Sequence, residues 1–524
     1  MLTLQTGAGA LLLGVASALA WQRGRQQLAV GLLMGAALLL RLLMAGLDPF
    51  LHDWDERYHA VVARNLLLDP FKPMLRAEPL LPYDYRTWCC NHVWLHKQPL
   101  FLWQMALSMK VFGVSELALR LPSALLGSLV LWPVYRLGCL VFRDQLTGYL
   151  GAGLVALAYY QLELVSGALG MDHNDVAFLA YVTGSIWAYY EYRASARPVG
   201  WLLLTGALAG AAVLCKWLPG LLVYAAWGLD LLRLSRPGRP RFWSRLWPEL
   251  GRLLASLAVA AAVALPWQFY SAWRFPRESA YERAYNTRHF TEALEGHAHA
   301  WYYHFGMLPV HYGLILGLIG LGVVLSLRRP YRAGAWPLLL LIALIYLFFT
   351  LAATKMYSYT YVVSPLLLLL GALPLATAGR ALRAWPALAG WRGALAVAVV
   401  GLAVALADLR PWGIYAYHFQ EQSSDALPPG LGRATRVANA ALYRELPRLV
   451  PPGGVVVNVR YGDELAAMFY CGCPVYAGIP SEAEVRVLRA GGRPLSTYPA
   501  SMGQAQLPAY LLAPGIEQLW GSPR

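Results

Sequence analysis

The stretch GLLMGAALLLRLLMAGLDPFLHDWDERYHAVVARNL (31–66) begins as an apolar run and turns abruptly polar at Asp53, Asp55, Glu56 and Arg57. A helix needs about 20 apolar residues to cross the hydrocarbon of a bilayer, and the run preceding Asp53 supplies them. Runs of the same kind recur near 2–20, 27–46, 117–141, 147–168, 174–192, 200–214, 217–233, 250–269, 311–327, 335–353, 360–378 and 390–408. The chain is 58% hydrophobic and 14% charged over 524 residues, which excludes an ordinary soluble globular protein. The pattern predicts an all-α polytopic membrane protein with about 11 to 13 transmembrane helices. Met1 to Ala20 lacks a basic start and reads as a spanning helix rather than a cleaved signal.

Orientation follows from the connecting segments. Those at 21–26, 193–198, 233–245, 328–332 and 380–392 are rich in Arg, and they alternate with turns that lack it. The bias of basic residues toward the cytoplasm places the Arg segments inside. Segment 47–116, the turns at 170–174, Lys216 and Lys355, the loop 270–310 and the tail after 408 then face out. The net charge of +15 is explained by the same segments, and no basic domain face argues for nucleic acid. All five lysines, Lys72, Lys97, Lys110, Lys216 and Lys355, fall on the outer side. Arg-favouring coding bias is the competing explanation; the functional one is compact cations gathered around an anion.

Within 47–116, Val61–Leu68 and Leu100–Phe112 carry apolar residues at helical spacing and suit amphipathic helices at the membrane surface. After about residue 410 the character changes. GGVVVNVR (453–460) reads as a buried strand, GDELAAMFYC (462–471) as the helix after it, and Tyr510–Leu512 as another strand. The division expected is a transmembrane domain, 1–408, with outer loops 47–116 and 270–310, followed by a small extracytoplasmic α/β domain, 409–524. Gly453–Gly454 precedes its strand and is no dinucleotide loop.

Cys139 and Cys215 lie in apolar segments; Cys89, Cys90, Cys471 and Cys473 are on the outer side, where a disulfide among them is open. His92 and His96 near Cys89 and Cys90, with His52 and His59 in the same segment, are candidate metal ligands, but their spacing matches no standard zinc signature. A divalent metal therefore stays an open alternative.

The outer boundary collects Asp53, Asp55, Glu56, Arg57, His96, Lys97, Asp172, His173, Asp175, Lys216 and Lys355. A carboxylate at this depth can orient or deprotonate a hydroxyl, and lysines can neutralise a phosphate leaving group. Transfer of a sugar from a lipid phosphate uses both, and so does hydrolysis of one. In 270–310, Arg288, Trp301 and Tyr302, with further Arg and Tyr, offer guanidinium forks and aromatic faces for phosphate and sugar; an interfacial aromatic belt is the bland reading.

DERYHAVVARNL (55–66) resembles the Asp-Glu motif in the first outer loop of C-type glycosyltransferases. HKQPLFLWQMALSMKVFGVSELALRLPSALLG (96–127) is similar to the following stretch in their aminoarabinose-transferase and protein-mannosyltransferase branch. The order continues through MDHND (171–175), CKWLPG (215–220), PWQFY (266–270), HAWYYHF (299–305) and KMYSYTYVVSPL (355–366). The resemblance implies a multi-spanning enzyme of the inner membrane that uses a polyprenyl-phosphate sugar and needs no nucleotide. It implies Asp55 as the catalytic carboxylate with Glu56 beside it and Asp172 as a second acid. Lys97, Lys216 and Lys355 hold the donor phosphate, with Tyr357, Tyr359, Tyr361 and Arg57 as further contacts and His289 as a loop histidine. His96-Lys97-Gln98-Pro99 and the insert YDYRTWCCNHVW (83–94) depart from the family pattern, so the acceptor is not carried over: lipid A, glycan and protein remain open. The rival classes are a lipid-sugar transporter or flippase, a lipid-phosphate hydrolase and a scaffold.

Overall fold

The computed structural model describes residues 2–87, 91–168, 173–235, 242–384, 433–498 and 507–520. Among them six helical spans are long and apolar enough to cross a membrane: Gln26–Ala45, Glu116–Val141, Pro198–Lys216, Leu246–Arg274, Arg332–Leu351 and Tyr359–Leu382. A seventh arises if the pair Tyr303–Tyr312 and Ile315–Ser326, bent by 112°, counts as one. The chain is thus a multi-pass membrane protein. The described residues fall into two compact units, one drawn from Met1–Ala45, Pro122–Arg274 and Arg283–Gly413, the other from Gly46–Leu121, Phe275–Glu282 and Ile414–Arg524.

The first unit is helical. It contains α1 (Leu2–Gln22) and α2 (Gln26–Ala45). Helix α5 (Glu116–Leu129) carries the chain into this unit from the second, where α3 (Asp55–Asn65) and α4 (Leu100–Phe112) lie. It continues with α6 (Leu131–Val141), α7 (Gln145–Ala156), α8 (Tyr159–Ser166), α9 (His173–Ala194), α10 (Pro198–Lys216), α11 (Leu222–Ser235) and α12 (Phe242–Arg274). Then come α13 (Pro276–Thr291), shared with the second unit, α14 (Tyr303–Gly306), α15 (Leu308–Tyr312), α16 (Ile315–Ser326), α17 (Arg332–Leu351) and α18 (Ser364–Ala384). Helices α10 and α12 approach closely through Gly206 and Gly210, spaced four apart. A Cβ at either would stand 2.4 Å from Ser256 O or 2.7 Å from Ala260 O. Small residues at this spacing let apolar helices pack backbone to backbone in lipid.

Two expected spans are interrupted. The run 147–168 breaks at Leu157–Ala158 into α7 and α8, which leaves the Val155 carbonyl with a long backbone bond, 3.4 Å from Ala158 N, and ends the helical ladder at Ala156. Arg41 of α2, wholly buried, donates to the Val155 and Ala156 carbonyls at 3.0 and 3.1 Å and to Gln161 Oε1 at 3.1 Å. The guanidinium thus caps a helix end inside the apolar layer, where an unpaired carbonyl costs most. The run 217–233 starts as a 3-10 turn, Leu218–Leu221, before α11. The expected span 390–408 lies outside the described residues.

In the second unit α19 (Arg433–Leu449), β1 (Val455–Val459), α20 (Asp463–Cys471), β2 (Val475–Ala477), α21 (Glu482–Ala490), β3 (Leu495–Thr497) and β4 (Ile516–Gln518) form a small α/β layer. The sheet is parallel, in the order β2-β1-β3-β4. Strand β1 is buried along its whole length, as its run of valines requires of a central parallel strand. The expected strand at Tyr510–Leu512 is instead a 3-10 turn, Ala509–Leu511. Pro508 before it cannot donate a ladder bond, and the turn drives Leu511 into the core with Val455, Val457, Leu495 and Ile516; the strand forms afterwards, as β4. A disulfide joins Cys471 to Cys473, while Cys139 and Cys215 are free thiols.

Candidate functional site

In the second unit Asp55 opens α3. The residue before it, Trp54, has φ 66°, a conformation disfavoured for a bulky side chain, and is 69% exposed. Asp55 Oδ2 lies 3.3 Å from Lys97 Nζ, both side chains partly exposed. His59, one helical turn on, shares that face, and Phe101 packs edge-on to its ring at 4.8 Å. Burial pushes the Asp55 carboxyl up, but the Lys97 ammonium, then His59 and His96, more than offset it and hold the group below its ordinary value. Asp55 is therefore a carboxylate at neutral pH, facing a lysine.

Glu56 points elsewhere. It is buried and accepts from Arg120 Nε at 2.6 Å, Arg120 Nη2 at 3.0 Å and the His52 backbone N–H at 2.6 Å. Arg120 also donates to the Asp48 and Phe50 carbonyls at 2.8 and 2.7 Å, tying the turn before α3 to α5. Arg57, on a third face, bonds Asp53 at 2.7 Å, Asp463 at 2.8 Å and the Gly462 carbonyl at 2.9 Å. Seven residues on, Arg64 donates to the Met468 and Phe469 carbonyls of α20. From α19, Arg436 pairs with Asp53 at 2.6 Å and Arg433 with Asp48 at 3.0 Å. Helix α3 thus shows one face with Asp55, His59 and Lys97 and docks another, through Arg57 and Arg64, on the α/β layer.

In the first unit the N-terminus of α9 meets the C-terminus of α10. Lys216 Nζ forms an ion pair with Asp175, whose other oxygen accepts from Ser358 Oγ at 3.1 Å. The same ammonium stands 4.7 Å from the centre of the Tyr359 ring. Trp217, directly after Lys216, has φ 60°. Backbone strain of this kind needs surroundings that impose it; it occurs beside Lys216 and beside Asp55, and also at Arg143, Glu295, Asn458 and Trp520. Lys355 is buried and donates to the Ala352 carbonyl at 2.7 Å; Tyr357 is half-buried two residues on. Tyr361 is buried among Tyr160, His311 and Tyr312 and belongs to the core.

Of the loop residues, His289 Nδ1 pairs with Thr354 Oγ1 at 3.0 Å, and the backbone there runs against 353–355. Arg288 is half-exposed and bonded to Glu292; Trp301 and Tyr302 are exposed. Of the metal candidates, His92 is buried, its ring centre 3.9 Å from that of Tyr83, and His96 Nδ1 lies 3.3 Å from Glu282 Oε2. Among the described residues no group of three or more His, Cys, Asp or Glu side chains is arranged to hold a metal ion. Cys89, Cys90 and Asp172 lie outside the described residues.

Asp175, one of the acids the sequence gathers at the outer boundary, is the carboxylate paired with Lys216. The signal available was its position as the first-turn acid of α9, but nothing local links it to position 216.

The dolichyl-phosphate-mannose-protein mannosyltransferase family matches the chain over residues 96–267, less than half its length. An uncharacterized protein of Aquifex aeolicus (strain VF5) is 28% identical over 190 residues, and the match spans 36% of each chain. Among solved structures, ArnT from Cupriavidus metallidurans bound to undecaprenyl phosphate superposes with TM-score 0.60 at 16% identity over 87% of each chain. The archaeal oligosaccharyltransferase AglB from Archaeoglobus fulgidus, in complex with an inhibitory peptide and a dolichol-phosphate, gives 0.55 at 15% identity over 87% of this chain and 65% of that one. These likenesses establish the fold: a membrane helical body like those of ArnT and AglB; this chain carries a small parallel sheet near its C-terminus.

Proposed function

We propose that the protein is a glycosyltransferase that moves one sugar from a polyprenyl-phosphate donor of the undecaprenyl-phosphate type to an acceptor in the cell envelope. The observation that carries this reading is the pairing of acids with lysines at Asp55–Lys97 and Asp175–Lys216, on a fold shared with a protein solved with undecaprenyl phosphate. Asp55 orients the acceptor nucleophile and accepts its proton as the bond to the anomeric carbon forms. The sugar–phosphate bond breaks, and the electron pair leaves on the polyprenyl phosphate. A carboxylate held below its ordinary value is a weak base, so orientation of the acceptor is its larger contribution. Lys216 and Lys355, with Tyr357 and Tyr359, hold the donor phosphate and stabilise the charge it gains, while Lys97 keeps Asp55 ionised. Each ammonium exchanges a carboxylate or carbonyl partner for phosphate oxygens. Arg57, expected at the phosphate, keeps its bonds to Asp53 and Asp463 and positions α3. Reaction occurs on the extracytoplasmic face of the inner membrane, by a single displacement that inverts the anomeric carbon. Lipid A, a glycan and a protein are the candidate acceptors.

The test is mass spectrometry of envelope lipids and glycoproteins from a deletion strain carrying either the wild-type chain or Asp55→Asn. Wild type restores a mass increment equal to one sugar, and Asp55→Asn does not. Full rescue by Asp55→Asn overturns the assignment, and release of free sugar without a modified acceptor indicates a hydrolase.

A further inference from the structure

A second site lies at the other end of the first unit. Helix α9 carries Asp175 in its first turn and Arg193 in its last, 18 residues or about 27 Å on, close to the thickness of the hydrocarbon layer. Helix α10 returns over the same distance, from Pro198 to Lys216. Between the far ends of α9, α10, α11 and α12 opens a cavity of about 580 Å³, within the range of small-ligand sites. Tyr189, Tyr192 and Trp227 line it as aromatic walls, with ring centres 4.8 and 5.2 Å from Trp227. Arg193, Arg252 and Glu249 supply its charge.

The charges form two bonded sets. Asp230, fully buried, accepts from Arg193 Nη1 at 2.9 Å and from Arg233 at 2.8 Å, and Tyr189 OH donates to it at 3.3 Å. Glu249 pairs with Arg252 and accepts from Tyr192 OH at 2.8 Å. Among the described residues, the lining guanidinium groups Arg193 and Arg252 against the one lining carboxylate, Glu249, leave one positive charge at a cavity that opens where membrane helices end. A phosphodiester carries one negative charge, and guanidinium groups present forked donors to its oxygens. Basic pockets between transmembrane helices are suited to lipid head groups at this depth. A polyprenyl phosphate, a monoester with up to two charges, matches the single surplus less well.

We propose that this cavity binds the phosphodiester head group of an anionic membrane phospholipid, at the opposite end of α9 and α10 from the Lys216–Asp175 pair. The bound lipid ties the ends of α9 to α12 together and stabilises the helices that position Lys216. The site is independent of the transferase reading.

The experiment uses the full chain in detergent, delipidated, with native mass spectrometry and thermal unfolding as readouts. Phosphatidylglycerol, phosphatidylethanolamine, undecaprenyl phosphate and inorganic phosphate are added separately. Phosphatidylglycerol is expected to give a single retained adduct and raise Tm. Arg252→Glu, at a half-exposed position, is expected to weaken that binding about tenfold or more through loss of a charged donor. Tyr192→Phe, which keeps the ring, is a milder second variant, expected to weaken it less. Undecaprenyl phosphate binding is expected to be indifferent to both changes. The proposal is overturned if phosphatidylglycerol binds Arg252→Glu and wild type alike, or if phosphatidylethanolamine or inorganic phosphate binds as tightly. It is equally overturned if undecaprenyl phosphate is the lipid whose binding depends on Arg252.

Discussion

Asp55 and Glu56 are neighbours in sequence, yet their substitutions should fail in opposite ways. Glu56 and Arg120 are both wholly buried, and the Glu56 carboxylate takes two bonds from Arg120 and one from the His52 N–H. Glu56→Gln removes the charge while leaving the guanidinium in place. Loss of one partner from a buried pair costs about 3–5 kcal/mol. The amide keeps one accepting oxygen, so a cost of about 3 kcal/mol is the reasonable figure. At about 2–4 °C per kcal/mol for a unit of this size, Tm should fall by roughly 6–12 °C. Asp55→Asn breaks only the partly exposed Lys97 pair, worth about 1 kcal/mol or less. Tryptophan-fluorescence melting of detergent-purified protein measures the first effect. Sugar transfer from a synthetic polyprenyl-phosphate donor, assayed below both melting points and normalised to folded protein, measures the second. Asp55→Asn should melt near wild type and lose turnover; Glu56→Gln should melt early and keep turnover. A Glu56→Gln protein with unaltered melting and no turnover would refute the reasoning, because it would give Glu56 the chemical role.

Other expectations follow from the same geometry. Asp463→Asn loosens Arg57 and with it α3, so kcat should drop several-fold with KM for donor little changed, and Asp463→Glu should restore part of it; an unchanged kcat separates the α/β layer from the chemistry. Lys216→Met removes a proposed phosphate ligand and leaves Asp175 buried without its ammonium, so donor KM should rise about tenfold or more, read from steady-state kinetics. Burial, then Arg76, pushes the His92 imidazole down to about 4 from 6.5. Between those values the unfolded chain binds the extra proton, so stability falls as pH is lowered from 7 toward 4. The Tm difference between wild type and His92→Asn should shrink over that range, and a constant difference would count against a neutral buried ring. Arg41→Leu removes the guanidinium donors from the buried Val155 and Ala156 carbonyls and should lower Tm by several degrees, whereas a wild-type melt would mean the break between α7 and α8 is satisfied otherwise.

Hydropathy and composition were enough to establish that the chain crosses the membrane many times, because the 20-residue length of a crossing is a local property of the sequence. Alternation of buried strand and helix near 455–471 was legible for the same reason, and the ordered motifs carried a resemblance whose expected fold the solved structures match. What local patterns could not decide is direction. A helix turns about 100° per residue, so Asp55, Glu56 and Arg57 leave α3 on three faces, and only the packed partners, Lys97, Arg120 and Asp463, say which acid stays partly exposed and which is locked in a buried pair. Asp175 was found on Lys216, and Tyr361 went to the core, because both outcomes rest on contacts between segments dozens to hundreds of residues apart. Local sequence determines which segments enter the lipid; the choice among neighbouring polar groups is made by long-range packing, since burial and charge pairing act through space and not along the chain.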